Sequence, residues 1–138
     1  MAAGDLDRVH ALNVELGYPG DKDVTRERIE AVLASPIADA FVAEDEAGRV
    51  VGWAHVFAAP FIESGPVAEL GGLVVEESRR GQGIGAALVA RAEAWARERG
   101  LTQLSLRCNV VREETHRFYH RLGFTIQKTQ HKFRKAVP

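Results

Sequence analysis

The sequence predicts an α/β fold of the α+β kind, with a mixed, mostly antiparallel central sheet flanked by helices. Three observations lead there. Two segments of helical period open the chain, residues 40–75 then switch to alternating and continuous apolar runs, and helix-like and strand-like segments follow one another to the end. With 138 residues, 46% of them hydrophobic, the chain can close one core but not two, so residues 1–138 are read as a single domain.

Leu6, Val9, Leu12 and Leu16 recur at helical spacing, with Asp5 placed to start a helix and Gly17 to end it. The turn Gly17-Tyr18-Pro19-Gly20 leads to a second helix, capped by Asp23 or Thr25 and carrying Ile29, Val32 and Leu33 as far as Ser35-Pro36. Residues 40–44 and 50–58, separated by a turn at 45–48, read as a β-hairpin. Residues 68–75 read as a central strand, because Leu70, Leu73, Val74 and Val75 form a nearly continuous apolar run. Ile84, Leu88, Ala92, Trp95 and Ala96 then mark one face of a helix that Gly100 can terminate. Leu104, Leu106 and Cys108 alternate with polar residues as in a strand, which makes Cys108 a core residue. Val111, Thr115, Phe118 and Leu122 mark a last helix ended by Gly123, and residues 124–128 and 130–134 are expected as closing strands. Trp53 and Trp95 are expected in the core.

Charge and cysteine usage exclude several functions. Eighteen Lys and Arg against nineteen Asp and Glu give no basic excess, so nucleic acid is not an expected partner. The single cysteine cannot form an internal disulfide, and no run approaches the roughly 18 apolar residues of a membrane span. Asp5, Asp7 and Arg8 interrupt any signal-peptide stretch, so a cytoplasmic protein without membrane contact is expected. The basic residues Lys128, His131, Lys132, Arg134 and Lys135 read as a solvated edge that discourages sheet-to-sheet pairing.

The sharpest local signal is Arg80-Gly81-Gln82-Gly83-Ile84-Gly85, which follows the central strand through a short connector and opens a helix. Glycine lets backbone approach a bulky anion and adopt positive φ, the free amides of a first helical turn attract negative charge, and Arg80 adds bidentate donors. Close strand-to-helix packing would also use such glycines. A dinucleotide-binding turn fits less well, for its glycine spacing and distal acidic residue are missing, and no Gly-Lys-Ser or Gly-Lys-Thr marks a Walker A loop.

Together with residues 109–124, this turn resembles the GNAT superfamily of acyl-CoA-dependent N-acetyltransferases over most of the chain. Arg80, Gly83 and Gly85 match its phosphate motif, and Asn109, Phe118-Tyr119 and Gly123-Phe124 match its later segment. The resemblance implies acetyl-CoA as co-substrate, with no metal, its pyrophosphate on the amides of Gly81, Gln82, Gly83, Ile84 and Gly85. It implies backbone bonds from Leu73, Val74 and Val75 to the pantetheine arm, a further bond from Asn109, and Tyr119 beside the sulfur. Family members commonly begin with a strand that this sequence lacks or keeps very short, which leaves a sheet edge that a homodimer could cover.

The implied reaction is direct attack of a primary amine on the thioester in a ternary complex. An amine of pKa about 10 needs a base, and Glu69, at the start of the central strand, is the candidate, through a water. His55 and His116 are further possibilities; Glu76 and Glu77 are expected to face solvent. The Val75 amide could steady the oxyanion. Proton donation from a tyrosine to a thiolate is uphill by about 2 kcal/mol at ordinary pKa values, so Tyr119 is read as a hydrogen-bond donor or as an acid reprotonated by the nascent ammonium. Residues 17–19 and the loop 59–66 are expected to line the acceptor pocket. Thr115-His116-Arg117-Phe118-Tyr119 is similar to the branch acting on aminoglycoside-like or polyamine-like small molecules. Acylation of a protein N-terminus or lysine, and a non-catalytic acyl-CoA-binding module, are the rival readings.

Overall fold

The computed structural model describes residues 1–138 and divides them into two compact units, Met1–Arg107 and Cys108–Pro138. In the first unit, α1 (Leu6–Glu15) turns Leu6, Val9 and Leu12 inward. Helix α2 (Lys22–Leu33) is capped by Asp21, two residues before Asp23 and four before Thr25. Asp21 accepts a 2.7 Å bond from the amide of Asp23, while Thr25 is buried and its hydroxyl meets His10 Nδ1 of α1 at 3.0 Å.

The sheet has the order β1 (Ala38–Glu44), β2 (Val50–Phe61), β3 (Gly65–Val75) and β4 (Leu104–Leu106). The first two pairings are antiparallel; β3 and β4 run parallel. A parallel pair requires a crossover, and α3 (Ile84–Glu98) supplies it. Alternation along the strands assigns the two faces. Val42, Trp53 and Val74 pack toward Leu6, Val9, Leu12 and Ile29 of α1 and α2. Gly52 and Phe41 face the other way. A Cβ on Gly52 would lie 3.2 Å from Leu88 and 3.3 Å from Ile84, and the Arg91 guanidinium covers the Phe41 ring at 4.5 Å. Trp95 is fully enclosed with Arg99 stacked over it at 4.1 Å, whereas Trp53 packs on the core while staying partly exposed.

The hairpin strands extend beyond their expected limits, β2 to Phe61 and β3 back to Gly65. Pairing between them is regular except where His55 and Val56 face Gly72 and Leu70, leaving Gly71 as the extra residue of a bulge. Close packing at the bulge favours glycine at both positions. A Cβ on Gly71 would come within 2.9 Å of His55 Nδ1 and 3.0 Å of Phe57, and one on Gly72 within 2.8 Å of Trp53.

The second unit contains α4 (Glu113–Arg121), after which Gly123 takes a positive φ of 89°. The expected strands at 124–128 and 130–134 do not form. The reason is visible in their side chains: Ile126 and Phe133 are exposed, only Phe124 is half-buried, and polar residues fill the rest, so no apolar face repays strand ordering. The basic residues from Lys128 to Lys135 are solvated as expected, but they border no strand. Cys108 is a second correction. Because β4 stops at Leu106, Cys108 lies beyond the strand, half-buried, with its thiol 3.6 Å from the Asn109 carbonyl. No helix is long and apolar enough to cross a membrane.

Candidate active site

Strand β3 ends at Val75, and a 3₁₀ turn over Glu77–Arg79 carries the chain into the glycine turn. Gly81 and Gly83 have φ of 76° and 82°, a region that disfavours any side chain, and Gly83 is the N-cap of α3. The first intrahelical bond runs from the amide of Ala87 to Gly83 O at 3.0 Å, so the amides ahead of it are those a helix leaves for an outside partner. Helix α3 has no acidic residue in its first turn. A Cβ on Gly81 or Gly83 would meet nothing within 4 Å, so the turn faces open space, and Gln82 and Arg80 are exposed there. Backbone amides, a helix N-terminus and a guanidinium are a donor set that fits a pyrophosphate. Leu73, Val74 and Val75 lead directly to this turn, Leu73 and Val75 half-buried and Val74 buried.

Glu76 departs from its expected exposure. It is buried, and its carboxylate binds Arg49 through two bonds of 2.6 and 2.9 Å and Arg8 through one of 3.0 Å, with Arg79 Nε 3.9 Å away. Arg79 also pairs with Asp45 at 3.1 Å, and the Glu77 amide donates to Glu15 of α1. Arg49 beside it, then Arg8, holds the Glu76 carboxyl below the usual carboxylate range against the opposing cost of burial. These contacts tie α1 and the β1–β2 turn to the connector that leads into the glycine turn.

Glu69 is also buried. It pairs with Phe57 on one side and Ser105 on the other, accepts a 3.3 Å bond from the Ser105 hydroxyl, and forms a 3.0 Å ion pair with exposed Arg107. His55 lies half-buried beside the bulge, and burial holds its imidazole below the usual value.

In the second unit, Asn109 is exposed. Its Oδ1 accepts from the Val111 amide at 3.3 Å, while its carbonyl accepts from the Arg112 amide and meets His116 Nε2, both at 3.0 Å. Tyr119 is half-buried with its ring edge-on to Phe118 and Phe124, at 5.0 and 5.5 Å. Burial, with the Cys108 thiol as a smaller cause, pushes the Tyr119 hydroxyl up to about 12. Burial likewise pushes the Cys108 thiol up, which fits an unreactive side chain rather than a nucleophile.

The first unit thus unites the glycine turn, β3 and Glu69, while Asn109 and Tyr119 belong to the second. Sequence patterning missed the ionic role of Glu76. Its partners lie 68, 27 and 3 positions away, and only the last is within a local window.

The glycine turn at the mouth of a parallel crossover, on a sheet of this order, fits the acyltransferases of the GNAT class that the sequence resembles. The chain belongs to that family: the profile of the Acetyltransferase (GNAT) family matches residues 7–124, and the protein is an acetyl-CoA-dependent N-acetyltransferase. It is 31% identical over 137 residues to the aminoglycoside N(6')-acetyltransferase type 1 of Serratia marcescens, covering 96% of this chain and 94% of that one. A protein of the same description from Klebsiella aerogenes is 35% identical over 114 residues, 80% of this chain and 74% of that one. Among solved structures, an aminoglycoside N-acetyltransferase in complex with CoA superimposes with a TM-score of 0.89 at 21% identity, over 99% of this chain and 92% of that one.

Proposed function

We propose that this enzyme acetylates a primary amine of a small polyamino compound of the aminoglycoside class, by direct attack in a ternary complex. The carrying observation is the similarity to aminoglycoside N(6')-acetyltransferases along nearly the whole of both chains. The reading keeps residues 1–138 as one catalytic domain in a reducing cytoplasm, in line with the single cysteine.

In this reading Arg80 and the amides of Gly81, Gln82, Gly83, Ile84 and Gly85 bind the co-substrate's pyrophosphate. The backbone of Leu73, Val74 and Val75 bonds its pantetheine arm. Asn109 adds a side-chain bond from Nδ2, which its Oδ1 contact with the Val111 amide leaves available. Glu69 is assigned to the amine. Its buried carboxylate draws the ammonium group in, toward the base that takes the proton that leaves. Two of its lone-pair sites remain after Ser105 and Arg107 are served.

Tyr119 donates a hydrogen bond to the departing sulfur and keeps its own proton. With its hydroxyl pushed up to about 12, giving that proton to a thiolate of pKa about 8.5 would be uphill by roughly 5 kcal/mol. The thiolate is instead protonated by the nascent acetylated ammonium.

The test is release of free thiol from acetyl-CoA in the presence of an amine panel. Aminoglycosides bearing a 6'-amino group are expected to be the best acceptors, followed by linear polyamines. Faster turnover with a peptide N-terminus or lysine than with any aminosugar would overturn the acceptor class. Sizing of the protein at assay concentration decides whether it works as a homodimer.

A further inference from the structure

The antiparallel register of β2 and β3 brings His55, Phe57, Glu69 and the bulge at Gly71-Gly72 onto one face of the sheet. His55 faces Gly72, Phe57 faces Glu69, and the imidazole and phenyl centroids are 5.6 Å apart. A Cβ on Gly71 would lie within 2.9 Å of His55 Nδ1, so it is Gly71 that leaves room for the imidazole, while Gly72 makes room for Trp53. Trp53, two residues before His55, packs under α1 and α2, which assigns this face to the side of the first two helices.

Resting on the proposed function, the position has a chemical consequence. If the pantetheine arm runs along Val75, Val74 and Leu73, away from the glycine turn, its thioester end reaches the next residues of β3, which are Gly72 and Gly71. We propose that His55 is the group that receives the proton of the attacking amine, with Glu69 as the neighbouring anion. The ammonium gives one proton to an imidazole nitrogen, and the freed lone pair forms the new C–N bond at the thioester carbon. The C–S bond then breaks with its electron pair on sulfur, and the thiolate takes the second amine proton. His55 returns the first to solvent.

The surroundings suit the task. The charged groups here are Glu69 and Arg107, which forms a 3.0 Å ion pair with it, and the Met1 amino group donates to the carbonyl of Ala40, the β1 partner of His55. Arg8 of α1 is committed to Glu76, and His10 of α1 to Thr25 of α2. Burial holds the imidazole below its usual value, so it is neutral and ready to accept a proton at pH 7. An imidazole, ordinarily near 6.5, is also a stronger base than a carboxylate near 4.3, which lessens the uphill transfer from an ammonium.

The experiment follows kcat from pH 5 to 9 by thiol release, with acetyl-CoA and a 6'-amino aminoglycoside both saturating, alongside calorimetric binding of CoA. In the native chain kcat is expected to fall on an acid limb centred below pH 6.5. His55→Asn should lower kcat by about 10²- to 10³-fold and abolish that limb, with CoA affinity unchanged, which also reports that the variant is folded. His55→Gln serves as a second variant. No acid limb in the native profile, or a limb and kcat that survive in both variants while Glu69→Gln loses them, would overturn the proposal and leave the proposed function standing. Failure of the native chain to bind CoA would overturn both.

Discussion

The connector into the glycine turn and the segment from Asn109 to Phe124 are held in opposite ways. Glu76, Glu77 and Arg79 are fixed by partners remote in sequence: Arg8, Glu15, Asp45 and Arg49. Asn109, His116 and His120 find partners no more than seven positions away, and α4 has no fully buried residue. The cradle therefore depends on the whole first unit being folded, since its geometry is set by elements that meet only in the native state. The later segment depends on its own turns and on an aromatic cluster of Phe118, Tyr119 and Phe124. The geometry of the glycine turn is thereby coupled to global stability, while the surroundings of Tyr119 stay open to local adjustment.

Disrupting the first unit should give the largest effect. Trp95→Ala removes a fully enclosed indole and is expected to cost about 3–5 kcal/mol in denaturant unfolding, lowering CoA binding with it. If CoA affinity survives such a loss of stability, the dependence of the cradle on the core is wrong. Arg80→Ala acts on the cradle alone. Loss of a charge-assisted bond worth about 1.5–3 kcal/mol should raise the CoA Kd by roughly 10- to 100-fold, with unfolding unaltered. Tyr119→Phe probes the other region. It should lower kcat by about tenfold with little change in CoA Kd, as expected when one hydrogen bond made only as the sulfur departs is removed. Because the hydroxyl is pushed up to about 12, native activity should show no basic limb from Tyr119 below pH 10. Equal loss of binding and turnover in this variant would contradict its assigned place.

The same contrast explains what could be read in advance. The hairpin, the central strand and α3 are legible because each carries a period that local burial enforces, and the glycine turn is legible because positive φ at Gly81 and Gly83 leaves few other residue choices. Glu76 follows a strand in a charged connector and looks like any solvated carboxylate. Only folding assembles the arginines that let it stay buried. Cys108 misleads for a related reason, since alternation with Leu104 and Leu106 continues in sequence after the strand itself has stopped. The closing strands fail in the opposite sense, because Ile126 and Phe133 supply β propensity without a surface to cover them.

Glu76→Gln gives the smallest effect and separates the two regions most cleanly. The substitution keeps the side chain's size and its acceptor oxygen but removes the charge that offsets Arg8, Arg49 and Arg79. The connector should loosen, raising the CoA Kd a few-fold without altering kcat at saturating co-substrate. Its pH signature follows from the sign of the shift. Since the folded carboxyl lies below its ordinary value of 4.5, Glu76 contributes stability that is complete above that value and is lost as pH falls through the folded one. Unfolding measured between pH 7 and pH 3 should therefore show the native chain losing stability on the acid side more steeply than Glu76→Gln, with the two curves converging at the lowest pH. Parallel curves would mean that the three arginines gain nothing from the carboxylate's charge, and the connector would then owe its position to the backbone bond from the Glu76 amide to Val51 instead.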